Sequence, residues 1–395
     1  MNKKNSLLIL FICLFANIGV AAVWSSKNSW SSSIEDRYSE WVRNEWSEDT
    51  FVNPKSMLEG VETDCADSVY AVRATFAYLN QLPFKTASKI SNETNQFDSV
   101  SEGPKRFRAF LKMLMRETSS RTLPNDTYAV ALTPQAFRAG IIYVAPGNHS
   151  YLIKDVQKDG MIVTYSSTVP VAVRLLMRLE GVPFYLPSDL DKKLDGYRAF
   201  RQPDQLNVKQ EQLSQFSPEQ FELAKAANYA YVSFAERLTD KISVEKPRLE
   251  KKIEHTLSSL CSYARERGAW VSLSSSVWMN SKKCMSPDQV EDYSTDSRDL
   301  RLKDFFQYLR KLAGLMDQED VSSEIKEKVM AVFSGEGQSG CLVETYDPKV
   351  GSLKLSDVWN QIVQNKLISN PHATIAQRWG IESWTPVCEQ KRHNE

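Results

Sequence analysis

Apolar residues recur in steps of three and four at Val69, Val72, Phe76 and Leu79, the spacing that gathers them on one face of a helix over 66–79. Thr63 and Asp64 supply N-cap side chains, and Asn80-Gln81-Leu82-Pro83 ends the segment. Cys65 stands four residues before Val69 and heads the same face. The same period predicts helices over 34–48 (Tyr38, Trp41, Val42, Trp46) and 101–117 (Phe107, Phe110, Leu111, Leu114), and Thr133-Pro134 opens a short helix to Phe137. Then the pattern changes. Residues 141–144 read as a buried strand and Pro146-Gly147-Asn148 as a turn. Residues 149–156 and 161–168 form an antiparallel hairpin around Lys158-Asp159-Gly160. A two-residue turn at Lys158-Asp159 places Thr168 opposite His149, with Ser166 on the same face one diagonal step away.

Residues 174–203 read as loop-rich and aromatic, and near Pro203 the chain turns helical. Helices are expected over 218–240, 246–268, 298–316, 321–334 and 355–366, with loops over 269–297 and 335–354. The resulting class is α+β: a mixed segment over 23–203 and an all-α segment over 204–395. The first 22 residues have a different character. Lys3 and Lys4, an apolar run over 6–15 and Val20-Ala21-Ala22 make a signal peptide, so 1–22 is expected to be removed and the protein exported, periplasmic or secreted. No later run approaches the ~20 apolar residues of a membrane span, so no stable insertion is expected after cleavage.

Charge adds an exclusion. Lys and Arg number 49 against 49 Asp and Glu, and losing Lys3 and Lys4 leaves a slight acidic excess. Nothing there points to nucleic acid. No metal-ligand spacing and no glycine-rich phosphate loop is present, so neither metal nor cofactor is expected.

The six cysteines carry the chemistry. Cys13 leaves with the signal peptide, and an odd number remains in an oxidising compartment. Cys261, Cys284, Cys341 and Cys388 lie together and make two bridges; proximity favours Cys261–Cys284 and Cys341–Cys388 among three connectivities. Cys65 is the thiol left over, at a helix start where the macrodipole and free N–H groups favour thiolate. The competing reading is a buried, inert structural cysteine. Of four histidines, only His149 begins a strand beside a loop, where catalytic histidines are delivered.

These motifs resemble a known family. Cys65-Ala66-Asp67, the following helix and Gln81-Leu82-Pro83-Phe84 resemble the Cys-x-Asp, helix, Gly-Ile-Pro pattern of transglutaminase-like cysteine proteins. His149-Ser150-Tyr151-Leu152-Ile153 is similar to their His-aromatic-aliphatic strand, and 160–168 to the strand after it. Asp64-Cys65-Ala66 also resembles the NlpC-like cell-wall peptidases. The likeness covers roughly residues 34–170 and implies a papain-like domain, a cysteine helix packed on an antiparallel sheet.

The resemblance implies a mechanism. Cys65 attacks a peptide-type amide carbonyl, His149 keeps the thiol ionised and protonates the leaving amine, and the backbone N–H of Cys65, after Asp64, holds the oxyanion. Water gives hydrolysis and an amine gives transfer. Peptide or peptidoglycan stem-peptide substrates follow from the location. Two departures stand against it. The family's orienting aspartate is absent, leaving Tyr165, Ser166, Ser167 or Thr168 at that corner with Ser166 as the candidate, and 85–130 is an insertion. The helical part reads as a disulfide-stapled module for positioning, substrate access or binding a protein partner. The alternative to an enzyme is an envelope binding or scaffold protein that keeps the papain-like fold without turnover.

Overall fold

The computed structural model describes residues 22–145, 149–182, 185–187, 191–281 and 283–388. The expected signal peptide, apart from Ala22, and the Pro146-Gly147-Asn148 turn therefore lie outside the described residues. In chain order the elements are α1 (Ser32–Glu45), α2 (Cys65–Leu79), α3 (Pro104–Glu117), α4 (Leu123–Asp126) and strands β1 (Thr127–Ala129), β2 (Ile142–Ala145), β3 (His149–Val156), β4 (Ile162–Ser166), β5 (Met177–Gly181) and β6 (Gly196–Phe200). The helical half follows as α5 (Glu219–Ala226), α6 (Tyr231–Ile242), α7 (Leu249–Ser281), α8 (Pro287–Tyr293), α9 (Asp296–Ala313) and α10 (Ser323–Ser334). Strands β7 (Leu342–Glu344) and β8 (Ser352–Lys354) precede α11 (Leu355–Val363) and α12 (Ile375–Arg378). The protein is a mixed α and β structure around an antiparallel sheet.

Asp64 caps α2 through a reciprocal box with Asp67: each side chain accepts the other's backbone N–H at 2.9 Å. The helix is buried on every side from Cys65 to Ala77, not along one stripe, because α1, α3 and the sheet enclose it. Leu79, expected on the buried face, is 52% exposed where the last turn leaves the core. In α3, Phe107, Phe110, Leu111 and Leu114 are fully buried, as their spacing requires. The short helix expected at 133–137 is instead a turn closed by Phe137 N–H donating to the Thr133 carbonyl.

The six strands run antiparallel in the order β1-β6-β2-β3-β4-β5. Two of them, β5 and β6, arise in the stretch read as loops. Leu152 pairs with Tyr165 and Ile153 with Thr164, the register that the hairpin reading requires. Near the turn, Asp155 faces Val163 and Val156 faces Ile162, one residue out of step, and the ladder shifts at Lys154. The longer turn and the bulge cancel.

Each face of the sheet carries its own apolar cluster. Ile142, Val144, Leu152, Val163 and Tyr165 pack with α1, α2 and α3. Tyr143, Tyr151, Ile153, Ile162 and Leu179 pack with α5, α6, α7, α9, α10 and α11 in a single continuous core. Approach is closest at Gly181 (φ 154°), where a Cβ would collide with Ser259 Oγ of α7.

The helical half departs from expectation in three ways. It is not all-α, because β7 and β8 pair. The helix expected over 218–240 breaks at Asn228 and Tyr229, both left-handed at φ 52° and 55°. Finally, α7 runs on to Ser281 through the stretch assigned to a loop.

That last difference corrects the disulfides, which join Cys261 to Cys341 and Cys284 to Cys388. Cys261 lies inside α7 and Cys284 beyond its end. A straight helix at 1.5 Å per residue separates them by roughly 30 Å, too far for a bridge. Each instead meets the chain segment that folds back beside it, at Cα separations of 5.8 and 5.9 Å.

Candidate functional site

Cys65 opens α2 as expected and is the one free cysteine among the described residues, but it is only 7% exposed. The segment after β4 closes over the start of the helix. Thr63 N–H donates to the Ala172 carbonyl at 3.0 Å, and Ser167 Oγ donates to the Thr63 carbonyl at 2.9 Å. Burial pushes the thiol up to about 11, and the Asp64 carboxylate beside it adds to the rise. The hydroxyl and backbone N–H of Ser150 act the other way without overcoming it. Ser150 Oγ itself makes no hydrogen bond of full geometry among the described residues, so its effect is that of a close dipole.

Ser150, not His149, is the β3 residue that faces Cys65. Neighbouring residues on a strand point to opposite faces. Leu152 and Ser150 look toward α2, while His149, Tyr151 and Ile153 look toward α7 and α9. Cys65 and His149 thus stand on opposite sides of the sheet, and the dyad implied by the family likeness is not assembled. Tyr151-Leu152-Ile153 is apolar on both faces, so the sequence pattern does not reveal which parity meets the helix.

His149 and Ser166 do come together, by the diagonal contact that the register implies. Ser166 Oγ donates to the Ser167 carbonyl at 2.7 Å, which leaves its lone pairs to accept from His149 Nε2–H, also at 2.7 Å. The imidazole stands edge-on to Tyr151, with ring centroids 4.4 Å apart. Burial, with the Arg298 and Arg301 guanidinium groups nearby, pushes His149 down to about 3, so the ring is neutral at ordinary pH. Its Nε2 proton is held by Ser166.

Around His149 lies a polar cluster that the sequence reading missed. Arg298 Nε reaches Glu266 Oε1 at 3.1 Å, Tyr151 Oη donates to the same oxygen at 3.4 Å, and Arg301 stands 3.8 Å from Oε2. Glu266 is 3% exposed. Arg298 also lies over the Trp270 ring at 4.2 Å, and Arg301 over Tyr263 at 4.9 Å. The residues come from β3, α7 and α9, so no local motif announces them. Only the spacing of Arg298 and Arg301, one helical turn apart, hinted at a shared face.

Asp64, expected at the oxyanion site, spends its side chain on the cap. Asp67 is raised above the ordinary carboxylate range by burial, then by Asp64. Among the described residues, no group of three His, Cys, Asp or Glu side chains is placed to hold a metal ion, and no helix is long and apolar enough to cross a membrane. No family model matches the chain, and neither a curated protein nor a solved structure matches it.

Proposed function

We propose that this protein is an exported envelope binding or scaffold protein whose first half keeps a papain-like core without its catalytic pair. The reading as a cysteine hydrolase or acyltransferase on peptide-type amides, including peptidoglycan stem peptides, is the less supported of the two. The observation that carries this choice is the parity of β3: Cys65 faces Ser150, and His149 faces the arginines of α9 across the sheet. Nucleophilic catalysis needs thiol and imidazole within hydrogen-bond reach. Two disulfides are consistent with the exported setting. The helical half, joined to the sheet through a shared core, supplies surface for a protein partner.

Alkylation of the unreduced protein across a pH series, with sites located by mass spectrometry, tests the reading. Slow modification of Cys65 with a high apparent pKa, unchanged in His149→Ala, is expected. Rapid modification with an apparent pKa well below ~8.5, shifting upward in His149→Ala, restores the enzyme.

A further inference from the structure

His372 lies in the turn between α11 and α12, far along the chain from Cys65 and His149. The residue is buried, and its Nε2 accepts a hydrogen bond from the backbone N–H of Met285 at 2.9 Å. A backbone N–H can only donate, so Nε2 is the bare nitrogen and Nδ1 carries the proton. Nδ1 is buried without a hydrogen-bond partner among the described residues. A second proton would set Nε2–H against Met285 N–H, donor against donor, and create a cation with nothing to pair with. From α7 the ring meets the edge of Trp278, at a centroid distance of 5.9 Å. Within its own turn, the His372 backbone N–H donates to Asn370 Oδ1 at 2.9 Å. None of these neighbours is charged. Burial alone holds the imidazole below its ordinary pKa, with no charged group among the described residues acting on it.

The Met285 bond holds the start of a strap. Residues 285–293, most of them in α8, run between two tethers. At one end Cys284 is bridged to Cys388. At the other Tyr293 is buried, with its ring 6.2 Å from that of Trp270 and its carbonyl accepting from Arg378 Nη2 at 3.3 Å. Between them Pro287, Gln289 and Asp292 are exposed, while Met285 is only 9% exposed. The helix carries its own cap: Ser286 Oγ accepts from Gln289 N–H at 3.3 Å, and Gln289 Oε1 from Ser286 N–H at 3.0 Å. Those bonds survive if α8 leaves the surface.

We propose that His372 is an acid-sensitive latch: protonation breaks its bond to Met285, and the strap swings out on its two tethers and exposes Met285. This device depends neither on Cys65 nor on the binding reading. Its sign follows from the folded pKa lying below the unfolded one. The latch is complete above about pH 6.5, the ordinary histidine value, and weakens as pH falls toward the folded value. The closed-to-open ratio drops by at most about tenfold per pH unit.

Hydrogen–deuterium exchange of the full mature chain, corrected for intrinsic rates and read on peptides covering 283–293, tests the latch. Between pH 7 and pH 5 exchange there should rise by about tenfold, the scale of that titration, while peptides from α2 hold steady. His372→Gln, whose Oε1 accepts a hydrogen bond without titrating, should abolish the rise. Nitrogen-15 NMR of the His372 ring should show the Nδ1–H tautomer at pH 7. Protection that is the same at both pH values overturns the proposal, as does an equal rise in His372→Gln or an Nε2–H tautomer.

Discussion

At Cys65 two electrostatic influences compete, and their sizes decide the outcome. A helix N-terminus favours an anion by up to about 1 kcal/mol at a partly exposed site, less than one pKa unit at about 1.4 kcal/mol each. Burial and the Asp64 carboxylate together raise the thiol from 9.0 to about 11, which outweighs the dipole. The same asparagine-or-aspartate preference that makes Asp64 a good cap thus places a negative charge against the thiol. The sequence supplied both residues; only burial set the balance between them.

His149 gives a pH prediction with a definite sign. Its folded pKa lies below the ordinary 6.5, at about 3, because the charged ring would be desolvated and face two arginines. The unfolded chain therefore binds the extra proton first. The stability that His149 contributes is complete above about pH 6.5 and is lost as pH falls toward 3, with a slope of at most about 1.4 kcal/mol per pH unit. The residue as a whole is only half-buried, which reduces that slope through solvent screening. Urea unfolding of the wild type and His149→Gln between pH 4 and 7 measures it. The variant should lose less stability on acidification; equal losses would mean that His149 is not held neutral.

Among the elements, β3 shows how far a pattern can be read. The hairpin followed from alternation, but the expected pairing beyond the bulge, and with it the His149–Ser166 contact, holds only because the bulge at Lys154 offsets a turn longer than two residues. The face did not follow, because both faces are covered and the strand is apolar on each. Lys154 at the bulge adds a contact with no sequence signal: Nζ donates to the carbonyls of Val42, Arg43 and Trp46 at 2.7, 2.6 and 2.6 Å, tying the sheet to the end of α1. A cation there satisfies carbonyls that a helix end leaves free. Lys154→Met should cost about 1.5–3 kcal/mol, the range for hydrogen bonds to a charged group. Chemical denaturation reads the loss, and protection of the α1 amides should fall with it. A change within about 0.5 kcal/mol would show that the three contacts contribute little.

Across the whole molecule, the helical half does not close on itself. Its apolar residues form one core with the second face of the sheet, and Gly181 lets β5 meet α7 without a side chain between them. One cooperative unfolding transition is therefore expected in calorimetry, and a chain ending at residue 203 should expose that sheet face and aggregate. Two separate transitions would show that the halves fold independently. The bridges span 80 and 104 residues, and loop closure on that scale is worth roughly 4–5 kcal/mol each in the chain-entropy model. Non-reduced peptide mapping should recover the Cys261–Cys341 and Cys284–Cys388 pairs with Cys65 free, and reduction should lower the midpoint.

Local information was enough for most elements, for the Asp64 cap, for the existence of the hairpin and for the division of five cysteines into four paired and one free. These depend on neighbours within a few residues or on parity of count. It was not enough where a choice lies between distant partners. The disulfide pairing turned on the length of α7, and the strands β5 and β6 form only because others are there to pair with them. The side of the sheet that meets Cys65 depended on what covers each face. A strand buried on both sides carries no label for its faces in one dimension, and three-dimensional packing alone supplies it.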